Sequence, residues 1–453
     1  MKVQASPPTY DASKYTHKTY LLLSLPLVLS ALSTPLLGAV DTAVVGHLGD
    51  PVYIGSVAVG SLIFNYLYWL LGFLRVSTSG FTAQAEGAGD ANELVMAFYR
   101  PFFLGLGFGF ACILLQSPIL QAALAIVGPS HRVAALVDQY YSIRIWGAPL
   151  ALANYAVYGW LIGRSEVRMA LWLQLILNGL NIILNLLFVF GLGMKVQGVA
   201  WATLTSEAVG FAAGALFVCS KVNRMDKEWQ TFFRADSFVH MLKVNRDLFI
   251  RTFCLLAVMV LFTAAGAGRG DAILAANAIL MQIALIVSYI FDGLANAGSI
   301  WAGRAFGEKN GALLQQTIKT GMFWSFVTAV LLTAGLSAFG RFIISLFTAS
   351  QEVQALAVQY SMWLLLFPLA VFGGLMLNGI FNGATETAPI RNSMIISMAV
   401  FVVILYCIGD RIGNHGLWLA YIAFSLTRSI MLWRYTSGLK GALVDSCRLS
   451  RYS

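Results

Sequence analysis

Charged side chains are scarce in this chain. Only 11% of the 453 residues are Asp, Glu, Lys or Arg, where a soluble domain carries about a quarter, and that shortage excludes a string of soluble domains. Cysteine is scarce too. The five, Cys112, Cys219, Cys254, Cys407 and Cys447, stand far apart, mostly inside apolar stretches, with no Cys-x-x-Cys pair, which leaves neither a disulfide framework nor a zinc site. Histidine is equally sparse at five. No Ser-His, paired-carboxylate or metal constellation forms around them, so an intramembrane enzyme is not indicated. Acid falls short of base, 20 against 29, for a net charge of +9. The basic residues gather in no module, so no nucleic-acid partner is indicated.

Hydrocarbon is what the chain has in plenty: 58% of residues are apolar and the mean hydropathy is +0.76. A helix crossing a bilayer core of about 30 Å needs about 20 mostly apolar residues, because an unsatisfied backbone amide in lipid costs several kcal/mol. That ruler predicts twelve spans, at 20–45, 54–80, 94–118, 134–160, 169–191, 197–219, 248–268, 276–302, 313–339, 353–381, 391–409 and 416–436. The first apolar run is too long for a cleavable signal core of about 7–15 residues, so it is expected to stay attached.

Lys and Arg are retained in cytoplasmic loops. With both termini inside, 19 of the 29 basic residues fall on the cytoplasmic side and 5 outside, the other five lying within spans. The net positive charge thereby reads as a topology signal with both termini in the cytoplasm.

The two halves resemble each other at a shift of about 220 residues. Gly49-Asp50 answers Gly270-Asp271, Pro149 answers Pro368, and "YGWLIGRS" at 158–165 answers "NGIFNGAT" at 378–385, setting Gly159 on Gly379 and Gly163 on Gly383. Six spans per half is even, so the copies enter the membrane in the same sense, as parallel repeats about an axis along the membrane normal. The expected fold is therefore an all-α polytopic membrane protein of twelve helices in two six-helix lobes. Its divisions are a cytoplasmic tail at 1–19, an N-lobe at 20–219, a cytoplasmic linker at 220–247, a C-lobe at 248–436 and a second tail at 437–453.

Ionisable groups within spans are costly and mark function or a buried partner. Asp41, in the outer part of the first span with no Lys or Arg within a turn or two, is the leading candidate for exchanging a proton or binding a cation. Asn178, Asn181 and Asn185 share one helical face of the fifth span, either as ligands and hydrogen-bond partners of that acid or as interhelical glue. Thr203, Thr205 and Glu207 on the sixth span are candidate members of the same network. In the second half Asp292, with Asn378 and Asn382 four apart, forms a related polar set. Arg75 lies near the counterpart of Asp292, so the two are expected to pair across a seam between lobes and hold one access state closed. Aromatics at 13%, with Tyr66, Tyr155 and Tyr289 prominent, and the adaptable Met281 suit a cavity for lipophilic cations, although each alone reads equally as packing.

The stretches "STPLLGAVDTAVVGHLGD" at 33–50, "RVSTSGFTAQAEGAGD" at 75–90, "NIILNLLFVFGLGMKVQGVAWATLTSE" at 181–207, "DAILAANAIL" at 271–280 and "FDGLANAGSIWAGRAFGEKN" at 291–310 resemble the multidrug and toxic compound extrusion (MATE) family, in its DinF-like branch. The resemblance covers the chain after its leader. It implies the two-lobed MATE fold with a central cleft, and export of lipophilic, mostly cationic compounds or other xenobiotics in exchange for protons or sodium. The implied setting is the bacterial cytoplasmic (inner) membrane, with lipid the only standing partner and no cofactor beyond the coupling ion. The family's first-helix aspartate maps onto Asp41, its fifth-helix polar pair onto Asn181 and Asn185, and its sixth-helix threonine onto Thr203. Many relatives carry an aspartate where this chain has Asn185. An amide cannot hold a proton or supply negative charge, so proton coupling at Asp41 is expected. Sodium held by oxygens of Asp41, Asn181 and Asn185 is the alternative, and a lipid-linked precursor flippase a more distant one.

Overall fold

The computed structural model describes residues 15–46, 50–223, 225, 232, 235–409 and 411–449. Every regular element among them is helical. The first group comprises α1 (His17–Gly46), α2 (Pro51–Leu71), α3 (Phe73–Ala88), α4 (Ala91–Leu114), α5 (Gln116–Val127), α6 (His131–Arg144), α7 (Ala148–Gly163), α8 (Val167–Asn185) and α9 (Lys195–Val222). The second comprises α10 (Ala235–Ala267), α11 (Asp271–Gly307), α12 (Gly311–Phe347), α13 (Gln351–Gly383), α14 (Ala388–Cys407) and α15 (Asn414–Leu449).

The helix starts are written in the sequence. Asp50 accepts from Val52 N with Pro51 in the first turn of α2, Asp90 caps α4 through Glu93 N, Asn310 caps α12 through Leu313 N, and Ser350 caps α13 through Val353 N. Each such cap is worth about 1 kcal/mol.

Ten stretches among the described residues are long and apolar enough to cross a membrane. The first expected span falls on α1, where the side chains of residues 34–43, Asp41 among them, lie outside the described residues. The fourth is divided: α6 ends at Arg144, a 3-10 turn occupies Ile145–Gly147, and α7 begins with Pro149 in its first turn. Proline has no N–H to continue the ladder and favours a first-turn position, which accounts for the restart. The expected third span, 94–118, instead ends with α4 at Leu114, and a separate short apolar helix, α5, follows at Gln116–Val127. It ends at Gly128, whose φ of 62° is left-handed, a conformation that costs a residue with a Cβ about 1–2 kcal/mol.

The helices gather into two compact units. One runs Leu29–Met241; the other joins the described residues up to Val28 to those from Leu242 onward. The division falls inside α1 and again inside α10. The part of α1 up to Val28 packs with the second unit, where Tyr20 donates to the Leu294 carbonyl at 2.7 Å and meets the Trp301 ring edge-on at 5.1 Å.

Each unit contains a closely packed helix pair built on glycine. In the first, a Cβ on Gly159 of α7 would stand 2.6 Å from the Arg75 carbonyl oxygen of α3, and one on Gly163 would stand 2.6 Å from the Ser79 oxygen. In the second, a Cβ on Gly379 or Gly383 of α13 would run into the Ala295 and Ser299 carbonyls of α11, closer still. The repeat noted in the sequence is thus the same contact made twice, glycine and partner both displaced by 220 positions.

A backbone carbonyl cannot swing aside as a side chain can, so Gly383→Ala should destabilise at the upper end of the about 1–3 kcal/mol seen for overpacking. Gly335→Ala in α12, where nothing stands within 4 Å, should be neutral or stabilising by up to about 1 kcal/mol. Melting of the two purified variants in detergent checks this; equal melting temperatures would contradict the packing account.

Candidate transport site

In the first unit a row of polar side chains joins α8 to α9 with no exposure to speak of. Asn181 and Asn185 are 0% exposed, Thr203 2% and Ser206 0%. Asn185 Nδ2 donates to Asn181 Oδ1 at 2.8 Å, and Asn181 Nδ2 donates to Thr203 Oγ1 at 3.2 Å and Ser206 Oγ at 3.4 Å. The hydroxyls donate back along α9, Thr203 to the Val199 carbonyl and Ser206 to the Thr203 carbonyl. One helical turn before Asn181, Asn178 accepts from Gln174 and donates to the Ser33 carbonyl of α1 at 3.4 Å. The i, i+4 spacing of the asparagines aligns them on one face.

Immediately after Asn185 the helix widens into a π-helical stretch over Leu186–Gly191. Such segments interrupt the regular ladder and recur at functional sites. Three residues singled out from the sequence, Asn181, Asn185 and Thr203, therefore meet. Ser206 joins them unforeseen, although its place three residues beyond Thr203 put it on the same face. Thr205 is half-buried elsewhere on α9.

Glu207 belongs to a second cluster. Its carboxylate stands 3.6 Å from Arg144 Nη2 at the end of α6, and Arg144 Nη1 donates to the Tyr140 hydroxyl at 2.7 Å. The guanidinium also lies 4.7 Å over the Phe64 ring of α2. Ion pair and cation–π contact together anchor the broken fourth span to α2 and α9. Tyr155 donates to the Tyr68 carbonyl at 3.2 Å, and Tyr66 is 39% exposed on α2. Arg75 is exposed, its charge acting on Tyr155 and Tyr158.

In the second unit, Asn378 and Asn382 lie buried on α13, and the Oδ1 atom of each has no hydrogen-bond partner among the described residues. Asp292 is half-buried in α11, and the basic charges acting with it in its own unit are Arg251 and Arg428. The sequence offered no reason to group these, since they stand on three helices far apart in the chain. Met281 and Tyr289 are half-buried on α11.

Long apolar helices with polar rows and ion pairs buried among them define a polytopic helical membrane protein. The MatE family model matches the chain twice, over residues 26–187 and 248–408. The chain belongs to the MATE family of transporters, in its DinF-like branch, and is not an enzyme. It is 37% identical over 417 residues to DNA damage-inducible protein F of Escherichia coli (strain K12), covering 91% of each. It is 24% identical to the multidrug export protein MepA of Staphylococcus aureus (strain NCTC 8325 / PS 47), over 90% of this chain and 91% of that one. Among solved structures, an outward-facing multidrug resistance MATE family transporter matches with a TM-score of 0.85 at 21% identity, covering 94% of this chain and 96% of the other. A MATE protein in complex with MaL6 matches with 0.86 at 21%, covering 96% and 100%. At that identity the likeness establishes the fold.

Proposed function

We propose that the chain is a proton-coupled antiporter that exports lipophilic, mostly cationic compounds, with Asp41 as the coupling carboxylate. The arrangement proposed with it is twelve spans in two six-helix lobes, 20–219 and 248–436, joined by a linker at 220–247. Both termini are placed in the cytoplasm of a bacterial cell, the protein sitting in its cytoplasmic membrane.

The observation that carries the coupling role is the bond from Asn178 to the Ser33 carbonyl, which ties the asparagine row to the helix that holds Asp41. Asp41 follows Ser33 by eight residues, about 12 Å of helix, and Asn185 follows Asn178 by seven, about 10 Å. Odd-numbered spans run in the same sense, so Asp41 comes level with the Asn181 to Asn185 stretch. A carboxyl can exchange a proton, which a neutral amide cannot. Its protonation removes a negative charge that favours an outgoing cation, letting α1 rearrange against α8; return to the cytoplasmic side releases the proton.

Every member of the described row is a neutral amide or hydroxyl, so a sodium ion would have one carboxylate at most to balance it. Asn185→Asp should accordingly make transport more sensitive to sodium, measured as initial rate against sodium concentration at several pH values. An unchanged sodium dependence would contradict this charge argument. A lipid-linked precursor flippase would need cations grouped for a pyrophosphate, and in the first unit Arg144 is engaged by Glu207.

The reading is tested by accumulation of a fluorescent lipophilic cation in cells that lack their own exporters. Expression of this chain should lower accumulation several-fold, and a protonophore should restore it. Accumulation unaffected by expression would overturn the proposal.

A further inference from the structure

The second unit holds a buried cation that the transport reading does not use. Arg428 of α15 is 4% exposed, yet its Nε and Nη2 atoms have no hydrogen-bond partner among the described residues. Those two nitrogens form one edge of the guanidinium, the edge that grips a carboxylate, phosphate or sulfonate through two parallel bonds. Arg251 of α10 likewise has a buried Nε without a partner.

The helices bring these groups to one place. On α15 the residues Trp418, Tyr421, Ser425 and Arg428 follow at intervals of three and four and so share a face; the first three are 0%, 6% and 3% exposed. On α10 the same spacing links Arg251, Cys254, Val258 and Phe262, and the Phe262 ring meets Trp418 at 5.2 Å and Tyr421 at 5.5 Å. Arg251 stands 11 residues from Phe262 and Arg428 stands 10 from Trp418, each about 15 Å along its helix. The charges of Arg251, Arg428 and Asp292 act on one another there, with Tyr421 beside Arg428. Among the described residues, the charges that act there are two guanidinium groups and one carboxylate, an excess of one positive charge in an apolar interior, where an uncompensated ion costs several kcal/mol.

We infer that Arg428, assisted by Arg251, is a binding site for one singly charged oxyanion group carried on an apolar body. The group is a carboxylate, sulfonate or phosphodiester, supplied either by a membrane lipid headgroup or by a free amphiphile. Asp292 is its built-in competitor: it holds the two arginines together when the site is empty and weakens the hold on an incoming anion. This site goes beyond the coupling role of Asp41. It lies in the unit that does not contain the asparagine row, and filling it needs no ion gradient.

The test is equilibrium binding of radiolabelled naphthalene-2-sulfonate to the full-length protein in phosphatidylcholine nanodiscs, with empty discs subtracted. Saturable binding is expected, weakened at least tenfold in Arg428→Gln and tightened several-fold in Asp292→Asn, a sign that a purely structural role for the acid does not produce. Repeating the titration in phosphatidylglycerol discs, and with inorganic phosphate added, separates the sources. Loss of probe binding in the anionic discs alone assigns the site to a lipid headgroup, and binding unaffected by either assigns it to a free amphiphile. Absence of saturable binding in phosphatidylcholine discs, unchanged affinity in Arg428→Gln, or weaker binding in Asp292→Asn overturns the inference. Should Arg428→Gln fail to fold, the direction of the Asp292→Asn change decides alone.

Discussion

Asp41→Asn is expected to abolish proton release on addition of a lipophilic cation to the purified protein, while the variant elutes as folded protein on size exclusion. The amide matches the carboxylate in shape and keeps its capacity to hydrogen-bond, so packing around α1 is preserved; what it loses is the proton. An ionisable group well inside a span costs several kcal/mol unless it has a use or a partner. Release measured with a pH-sensitive dye should fall at least tenfold, to the level of protein without substrate. Retained release with folded protein would remove Asp41 from the coupling role.

Asn181→Leu should have the second largest effect, and it should be felt in two ways. Asn181 donates to Thr203 and Ser206 and accepts from Asn185, so leucine removes three bonds from a site with no access to water. At about 0.6–1.5 kcal/mol each, the loss is about 2–4.5 kcal/mol of stability. Transport should fall at least tenfold, because Asn185 loses the acceptor that orients it at the start of the π-helical stretch. Asn181→Asp keeps the acceptor oxygen and tests whether orientation of Asn185 or neutrality of the row matters more. If Asn181→Leu melts and transports as the parent does, the row is packing only.

Ten of the twelve expected spans were legible because hydropathy alone sets their length, and the asparagine face was legible because i, i+4 spacing survives in any helix. The break in the fourth span was not. Pro149 reads as a kink in a continuous apolar run, whereas it stands in the first turn of a new helix after the 3-10 turn at Ile145–Gly147. The glycine repeat was visible, but its meaning was not, because Gly379 and Gly383 need α11 alongside them before their missing side chains become a contact. Arg251 and Arg428 were apparent only as basic residues within spans. Nothing in a linear sequence brings α10, α11 and α15 together, so the action of Asp292 on Arg251 and Arg428 within its own unit was not legible there.

The coupling of cation export to proton entry is tested most directly in liposomes holding the purified protein, with a proton gradient and a sodium gradient imposed separately and a labelled lipophilic cation inside. Cation movement driven by the proton gradient in sodium-free buffer, absent in Asp41→Asn, is the expected result. Movement driven by sodium alone at equal pH on both sides, or by neither gradient, would contradict it.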